Sequence, residues 1–517
     1  MSVDTLEQHE TLVRSLMDLE RWPQGGGDRR RIDTHISTVI LAGAVAYKIK
    51  KPLDLGFLNF LRLEARLAAC HEELRLNRRL APDIYQAVCA ITGSVEAPAI
   101  DGDGEVIDYA VRMRRFDPDA ILSNLAAGLQ PALIEQLAER VARFHLHADR
   151  CAECESFGSP EAVYLPMQKN FELIATIDDA PHQRLEALQR WSRQQHEQLQ
   201  DLLWLRKSEG YIRECHGDLH LGNVALIGGQ PVVFDAIEFN PGLRWIDTIS
   251  DVAFLTMDLH HQRRPGLVFR FLDRYLQTTG DYMGLMLLRF YEVYRALVRA
   301  KIAAIRRQQE LSDQERAGVD RDLAAYVALA VERMRAHQGG IVITQGVSGS
   351  GKSHVTVGLP DFLPAVRLRS DVERKRILGV EPHHDATALG AYSQEWTEKT
   401  YNRLADLARM VAAAGYVAVV DATFLRRRHR QLFSDLASSM QVPFVIIDCD
   451  APPEVLRERI LRRHEQQDNV SDASLAVLQA QLASREPLTG EEVEASIAVR
   501  PEQPLDPDAL RKRLNLA

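Results

Sequence analysis

Two stretches of the chain carry residue types spaced for phosphate chemistry. In the first, His216-Gly217-Asp218-Leu219-His220-Leu221-Gly222-Asn223 sets an aspartate five residues before an asparagine, and Asp235 follows Asn223 by twelve at the end of the apolar run VVFD. Phosphoryl transfer uses such a set: one carboxylate orients the hydroxyl that gives up its proton, while an amide oxygen and a second carboxylate hold Mg²⁺ against the phosphates. These are the hard oxygen ligands that Mg²⁺ requires, and a short hairpin between Asn223 and Asp235 lets them converge on one ion. Upstream, Val45-Ala46-Tyr47-Lys48 ends on a strand lysine of the kind that pairs with α- and β-phosphates. Glu73 in the next helix is read as its partner, with Glu72 competing, since one residue turns a helical side chain by about 100°.

The second stretch is Gly346-Val347-Ser348-Gly349-Ser350-Gly351-Lys352-Ser353, which follows the strand-like run IVITQ and precedes a helical segment. This is G-x-x-x-x-G-K-S in the context it needs. Its glycines let the backbone curl until consecutive N–H groups, those of Gly346, Ser348, Gly349, Ser350 and Gly351, face phosphate oxygens, and the helix start adds partial positive charge. Lys352 is placed to reach the β- and γ-phosphates and the Ser353 hydroxyl to ligate Mg²⁺. Further on, the strand YVAVVD ends at Asp421, a carboxylate suited to positioning Mg²⁺ through water. The segment from Arg457 to Arg463, Arg459 among them, lines guanidiniums along one helix, which suits a lid over transferring phosphate.

The elements that must position these residues differ between the halves. Residues 5–20 have amphipathic helical periodicity, 36–50 reads as two strands about Gly43, 58–80 as a helix, and 86–93 and 105–113 as strands. Helices are predicted over 119–127, 131–148, 161–177 and 182–208, two short strands at 223–227 and 231–235, then helices over 247–258, 265–279, 281–307 and 312–337. After Gly339-Gly340 the texture changes to apolar strands at 341–345, 417–421 and 443–448. These alternate with helices at 352–358, 371–377, 390–414, 427–439, 452–464 and 471–484. Alternation of this kind argues for a mostly parallel sheet with crossover helices. The expectation is a bilobal α+β domain over 1–338 and an α/β P-loop domain over 339–517.

With these residues in hand, about 30–335 resembles the aminoglycoside phosphotransferase family of the protein-kinase-like fold. The resemblance rests on HGDLHLGN, on FDAIEF at 234–239 and on the order Lys48, Glu73, Asp218, Asn223, Asp235. It implies that Asp218 is the catalytic base and that Asn223 and Asp235 are magnesium ligands; separately, the strand 109–113 enters the second lobe where a nucleotide hinge would lie, so backbone near Val111 and Met113 is read as contacting the base. No G-x-G-x-x-G precedes Lys48, only Gly43, which fits a short strand-turn-strand over the phosphates. Asp247 and Asp251 are read as helix N-terminal charges or as supports of the catalytic loop. About 340–500 resembles the small-molecule and polynucleotide-kinase-like P-loop kinases. That resemblance makes Asp371 the base for the acceptor hydroxyl and Arg374 a cation beside it.

The remaining features exclude more than they add. The net charge of -9 argues against a nucleic-acid or membrane-surface partner. No apolar run reaches about 18 residues, so no membrane-spanning helix is expected. The start MSVDTLEQHETLVRSL lacks an apolar signal region, and six cysteines in 517 residues make no disulfide framework, so a cytoplasmic location is expected. His145, His147, Cys151 and Cys154 cluster in sequence, but their spacing is not that of a zinc site. The absence of D-F-G and A-P-E after Asp235 argues against a protein kinase. The reading is a kinase with two ATP–Mg²⁺ sites and small hydroxylated acceptors such as a sugar, an aminoglycoside-like compound or a nucleoside; the competing reading is a nucleotide-gated regulatory ATPase. The acceptors, ATP against GTP and the oligomeric state stay open at this level.

Overall fold

Val45–Lys50 is buried at every position, because the strand lies inside a six-stranded antiparallel sheet with helices against it. In the computed structural model the order is Arg29–Asp33, Ser37–Ala42, Val45–Lys50, Val106–Arg114, Tyr85–Gly93, Pro98–Ile100. Gly43 takes φ 59° in the turn between the second and third of these, a left-handed conformation that glycine adopts without penalty. Helix Leu6–Asp18 packs Leu12, Val13 and Leu16 on one face of the sheet, against Ile40, Tyr47 and Ile107. Helix Leu63–Arg78 carries Glu73 into the buried interior. The structure describes residues 3–18, 22, 29–56, 58–125, 128–152, 155–177, 179–309, 312–380, 393–465 and 475–516, with side chains left aside at 463–465.

Beyond the sheet come helices Pro131–His147, Pro160–Ile174 and His182–Ser208, then hairpin Val224–Ile227/Gln230–Val233. A two-stranded pair, Ile212–Glu214 with Trp245–Asp247, escaped sequence reading because each strand has only three residues. The helix expected at 119–127 is corrected: Pro118–Ala120 is a single 3-10 turn and Ile121 bridges to Ala225 instead, while 126–127 lie outside the described residues.

The later half builds a five-stranded sheet, Ala365–Arg369, Val417–Asp421, Gly340–Gln345, Phe444–Cys449, Ser496–Val499, with every pair parallel. Gly340–Gln345 is central and wholly buried, as the run GIVITQ requires. The first and last strands were not predicted, since AVRLR alternates and SIAV is short.

The chain divides into two compact units, Met1–Asp258 with Tyr294–Ala324, and Leu259–Val293 with Ala325–Ala517. The second therefore contains helix Pro265–Thr279 as well as the parallel sheet. There Asp273 accepts hydrogen bonds from the Arg367 backbone N–H at 2.9 Å and from its guanidinium at 2.9 and 2.6 Å, and Asp361 takes the Arg270 guanidinium through two bonds of 2.6 Å. No described helix is long and apolar enough to cross a membrane.

Candidate functional sites

In the first unit, Lys48 Nζ lies 2.9 Å from Glu73 Oε1 and also pairs with Asp235. Glu72 instead pairs with Arg75 and Arg244. Two residues along the strand, on the same face, Lys50 pairs with the other Glu73 oxygen and with Glu238. One buried carboxylate thus holds two ammonium groups, one on each oxygen. Burial alone would lower the Lys48 pKa, but Asp235 and Glu73 raise it well above the ordinary lysine value. Burial would raise Glu73, and the two lysines hold it below the ordinary range. The sequence reading missed Lys50 and Glu238; the K-x-K spacing on a strand was the available signal.

The loop holding Asp218 is braced from behind. Gly217 takes φ 87°, and a Cβ there would sit 2.7 Å from Leu243 O. Asp251 accepts the N–H groups of Gly217 at 2.9 Å and His216 at 3.0 Å, so it supports the loop, whereas Asp247 holds Arg206 and caps Ile249 N. His216 Nε2 donates to Phe234 O at 2.9 Å, which leaves Nδ1 to accept from Asp218 N at 3.3 Å. Asp258 accepts from Leu221 N at 2.9 Å.

At the front, Asn223 Nδ2 donates to Asp218 O at 2.9 Å and to Oδ2 at 3.0 Å, and His220 Nε2 stands 3.4 Å from the same carboxylate. The Asp218 side chain is a third exposed (33%). Burial raises its pKa, but His220 and Arg299 outweigh that and hold it below the ordinary carboxylate range. Across the hairpin base, Phe234 N donates to Asn223 O at 2.9 Å, which puts Asp235 one residue from Asn223's backbone partner. Asp235 itself is left-handed, φ 66°, with its N–H donated to the Tyr85 hydroxyl at 3.1 Å. Met113 packs with Tyr85, Phe116 and Phe234 in an apolar cluster beside these groups.

The cysteine–histidine cluster of the sequence does not converge. His145 is buried on Asp251 at 3.2 Å, His147 is exposed on Arg143 O, Cys151 donates to Glu155, and Cys154 lies outside the described residues. His145, Cys215 and Asp251 do approach within 4.8 Å. Their donors are engaged, however: Asp251 holds two amides, and burial pushes the Cys215 thiol well above its ordinary pKa.

In the second unit, Gly346, Gly349 and Gly351 take φ 147°, 86° and 100°. A Cβ at Gly346 would meet Cys449 O at 2.3 Å, so only glycine lets the loop turn here. Lys352 Nζ folds over the loop to Val347 O at 2.8 Å. Ser353 is exposed one residue into helix Lys352–Gly358, and one turn on Thr356 Oγ1 donates to Asp421 Oδ2 at 3.1 Å. Arg459 donates to Gly349 O at 3.1 Å; Arg457 and Arg462 point to solvent. Gln481, unanticipated, accepts Ser348 N at 2.7 Å.

Ser348, Gly349, Gly351, Lys352, Ser353 and Asp421 line a cleft of about 600 Å³ that continues to Asp371 and Arg374. Gly346 and Ser350 lie beneath it, buried in the loop's own packing. Asp371 Oδ1 stands 4.0 Å from Arg374. Burial raises the Asp371 pKa further than Arg374 and Arg369 lower it. Phe424, left-handed at φ 45°, shapes the loop after Asp421 and donates its N–H to the Tyr401 hydroxyl at 3.1 Å.

Two family models match different stretches of the chain. Residues 57–288 match the model of the phosphotransferase enzyme family, and residues 341–488 match that of the AAA domain. The chain is 30% identical over 464 residues to the uncharacterized protein Rv2004c of Mycobacterium tuberculosis (strain ATCC 25618 / H37Rv), covering 88% of this chain and 89% of that one. Among solved structures, the GDP complex of wild-type aminoglycoside 2'-phosphotransferase-IIIa is similar at 12% identity and TM-score 0.39, over 64% of this chain and 99% of the other. A sugar kinase from Janibacter sp. HTCC2649 is similar at 22% identity and TM-score 0.25, over 34% of this chain and 91% of the other.

Proposed function

This chain belongs to the family, shared with the mycobacterial protein, that joins a phosphotransferase-enzyme domain to a P-loop kinase domain, and on that premise we propose an ATP-dependent phosphotransferase with two separate nucleotide sites. We assign the first to residues 1–338 and the second to 339–517, each transferring the γ-phosphoryl group to a hydroxyl of a small molecule. The observation that carries the reading is the convergence on Lys48. Its ammonium is pinned between Glu73 and Asp235, while Asn223 anchors Asp218 on the adjoining loop. A lysine so fixed is preorganised for phosphate oxygens, because its charge is locked and its position is already set.

In the first site Asp218 orients the acceptor hydroxyl and takes its proton, and Met113 with its apolar neighbours offers the base a dry wall. In the second, the glycine-shaped loop presents backbone N–H groups to the phosphates, Lys352 and Arg459 add positive charge, and Asp371 orients the hydroxyl. The donor sets fit Mg²⁺: Asn223 with Asp235, and Ser353 with Asp421, all offer oxygen. When bound, the ion supplies charge neutralisation on the phosphates.

The test uses the full-length chain with labelled ATP and a panel of sugars, aminoglycosides and nucleosides, with products identified by mass spectrometry. Lys352→Ala is expected to abolish nucleotide binding at one of two sites and leave the other intact. Undiminished binding of two nucleotides in that variant would reject the P-loop assignment. Nucleotide hydrolysis with no phosphorylated product from any acceptor would replace the kinase reading with a regulatory ATPase.

A further inference from the structure

The cleft of the second unit is strongly cationic where the acceptor must enter. Among the described residues its lining includes Lys352, Arg369, Arg374, Arg426 and Arg428 against two carboxylates, Asp371 and Asp421. Lys352 and Asp421 belong with the phosphate loop, through Val347 and Thr356. Among the described lining residues, what remains is four guanidiniums and one acid, Asp371 itself. Arg374 is buried to 8% exposure and Arg369 is half-buried, so both are committed to the cleft, not to bulk water. Arg428 pairs with Glu398 toward the rim, and His429 shares that carboxylate at 3.2 Å.

Arg369 and Arg426 stand at the N-caps of helices Ser370–Ile377 and Arg427–Met440. Both helix starts already carry carboxylates: Asp371 and Glu373 lie in the first turn of one, and Glu486 Oε2 accepts from Arg427 N at 2.6 Å at the other. What calls for an anionic occupant is therefore the set of guanidiniums that line the cleft, not the helix termini.

We propose that the acceptor of the second site is a hydroxyl compound bearing an oxyanion, held by Arg369 and Arg374 with Arg426 and Arg428 toward the mouth. This rests on the kinase reading of that site. Guanidinium forks match carboxylate and phosphate geometry alike, so the shared chemistry is a planar or tetrahedral oxyanion. Its source is either a phosphate monoester, the product class of the first site, or the carboxylate of a sugar acid. In the transfer, the acceptor hydroxyl oxygen bonds to the γ-phosphorus, the bond from that phosphorus to the β–γ bridging oxygen breaks, the hydroxyl proton passes to Asp371, and ADP leaves. The upward shift of Asp371 suits it to receive that proton. A cationic aminoglycoside is excluded from this cleft by the same charges.

The experiment uses full-length protein carrying Asp218→Asn, which silences the first site, and four matched polyols: neutral, phosphorylated, carboxylated and aminated. Transfer from labelled ATP is followed by mass spectrometry, with Lys352→Ala in the same background to assign the signal. The expected result is kcat/KM at least about 100-fold higher for the phosphate or the carboxylate than for the neutral compound, the size of one or two charged hydrogen bonds. The preferred one of the two names the source. Arg369→Ala is expected to raise KM for the anionic acceptor about tenfold or more, with KM for ATP and the melting temperature unchanged and partial rescue by Arg369→Lys. Lys352-dependent transfer to the neutral or aminated polyol at equal or greater efficiency overturns the oxyanion assignment and leaves the kinase reading standing. Lys352-dependent ADP release with none of these acceptors phosphorylated overturns both.

Discussion

In the first unit, Asp218 shares its carboxylate with Asn223 and faces His220, and its pKa is held down despite burial. In the second, Asp371 stands 4.0 Å from its nearest arginine, and burial, aided by Asp421, carries its pKa up. The two aspartates are assigned the same task with opposite proton affinities. Under the proposed roles, both orient the hydroxyl and take its proton, but Asp371, shifted up, holds a proton more readily than Asp218, shifted down. The lysines show the converse contrast. Lys48 is locked between buried Glu73 and partly exposed Asp235, while Lys352 touches a backbone carbonyl of its own loop.

The sharpest way to break this comparison is to remove each base in turn. Asp218→Asn and Asp371→Asn are each expected to lower the activity of their own half by about 10²–10⁴-fold, the usual reach of a general base, and to leave the other half's turnover unchanged. Parallel loss of both activities in either variant, measured with both acceptors on the same preparation, would show that the sites are not independent. A smaller effect is expected from Asp273→Ala, which leaves Arg367 buried without its carboxylate. A loss of about 3–5 kcal/mol is expected for the unfolding of the second unit, read by urea titration, with the first activity retained.

The pH profiles come next. A base works ionised, so the rate falls as pH drops through its pKa. The acid limb of the second activity is therefore expected at higher pH than that of the first; coincident limbs, or the reverse order, would contradict the opposite shifts. The smallest effect concerns Tyr85 and Tyr401. Each hydroxyl accepts the N–H of a left-handed non-glycine residue, Asp235 or Phe424, at 3.1 Å. Tyr85→Phe and Tyr401→Phe are each expected to cost about 1 kcal/mol by thermal unfolding, with a modest rise in KM for ATP only in the half concerned.

Much of the geometry of both candidate sites was readable, because residues suited to phosphate chemistry cluster locally in sequence. The loop 216–223, Asp235 and the 346–353 loop each sit within a few residues of one turn, and the β-branched runs around them mark strands. What escaped reading is held by distant partners. Lys50 with Glu238, and Asp258 with Leu221 N, join elements about 40–190 residues apart, and no periodicity announces such pairs. The helix expected at 119–127 failed for a related reason: a helical pattern yielded to the Ile121 bridge with Ala225. Strand Ala365–Arg369 was hidden because its two arginines break the apolar run, and each is polar for a tertiary reason, Arg367 for Asp273 and Arg369 for the cleft.

The hold of Asp273 on the Arg367 amide has a consequence for any shortened form of this protein. Ala365–Arg369 ends the parallel sheet, and its outward amide is satisfied by a side chain from before residue 339. A fragment beginning at 339 would bare that flank as a template for strand addition by another molecule. Such fragments are expected to self-associate more readily than the intact chain, because helix Pro265–Thr279, which precedes residue 339 in sequence yet belongs to the second unit, supplies the cover for that flank.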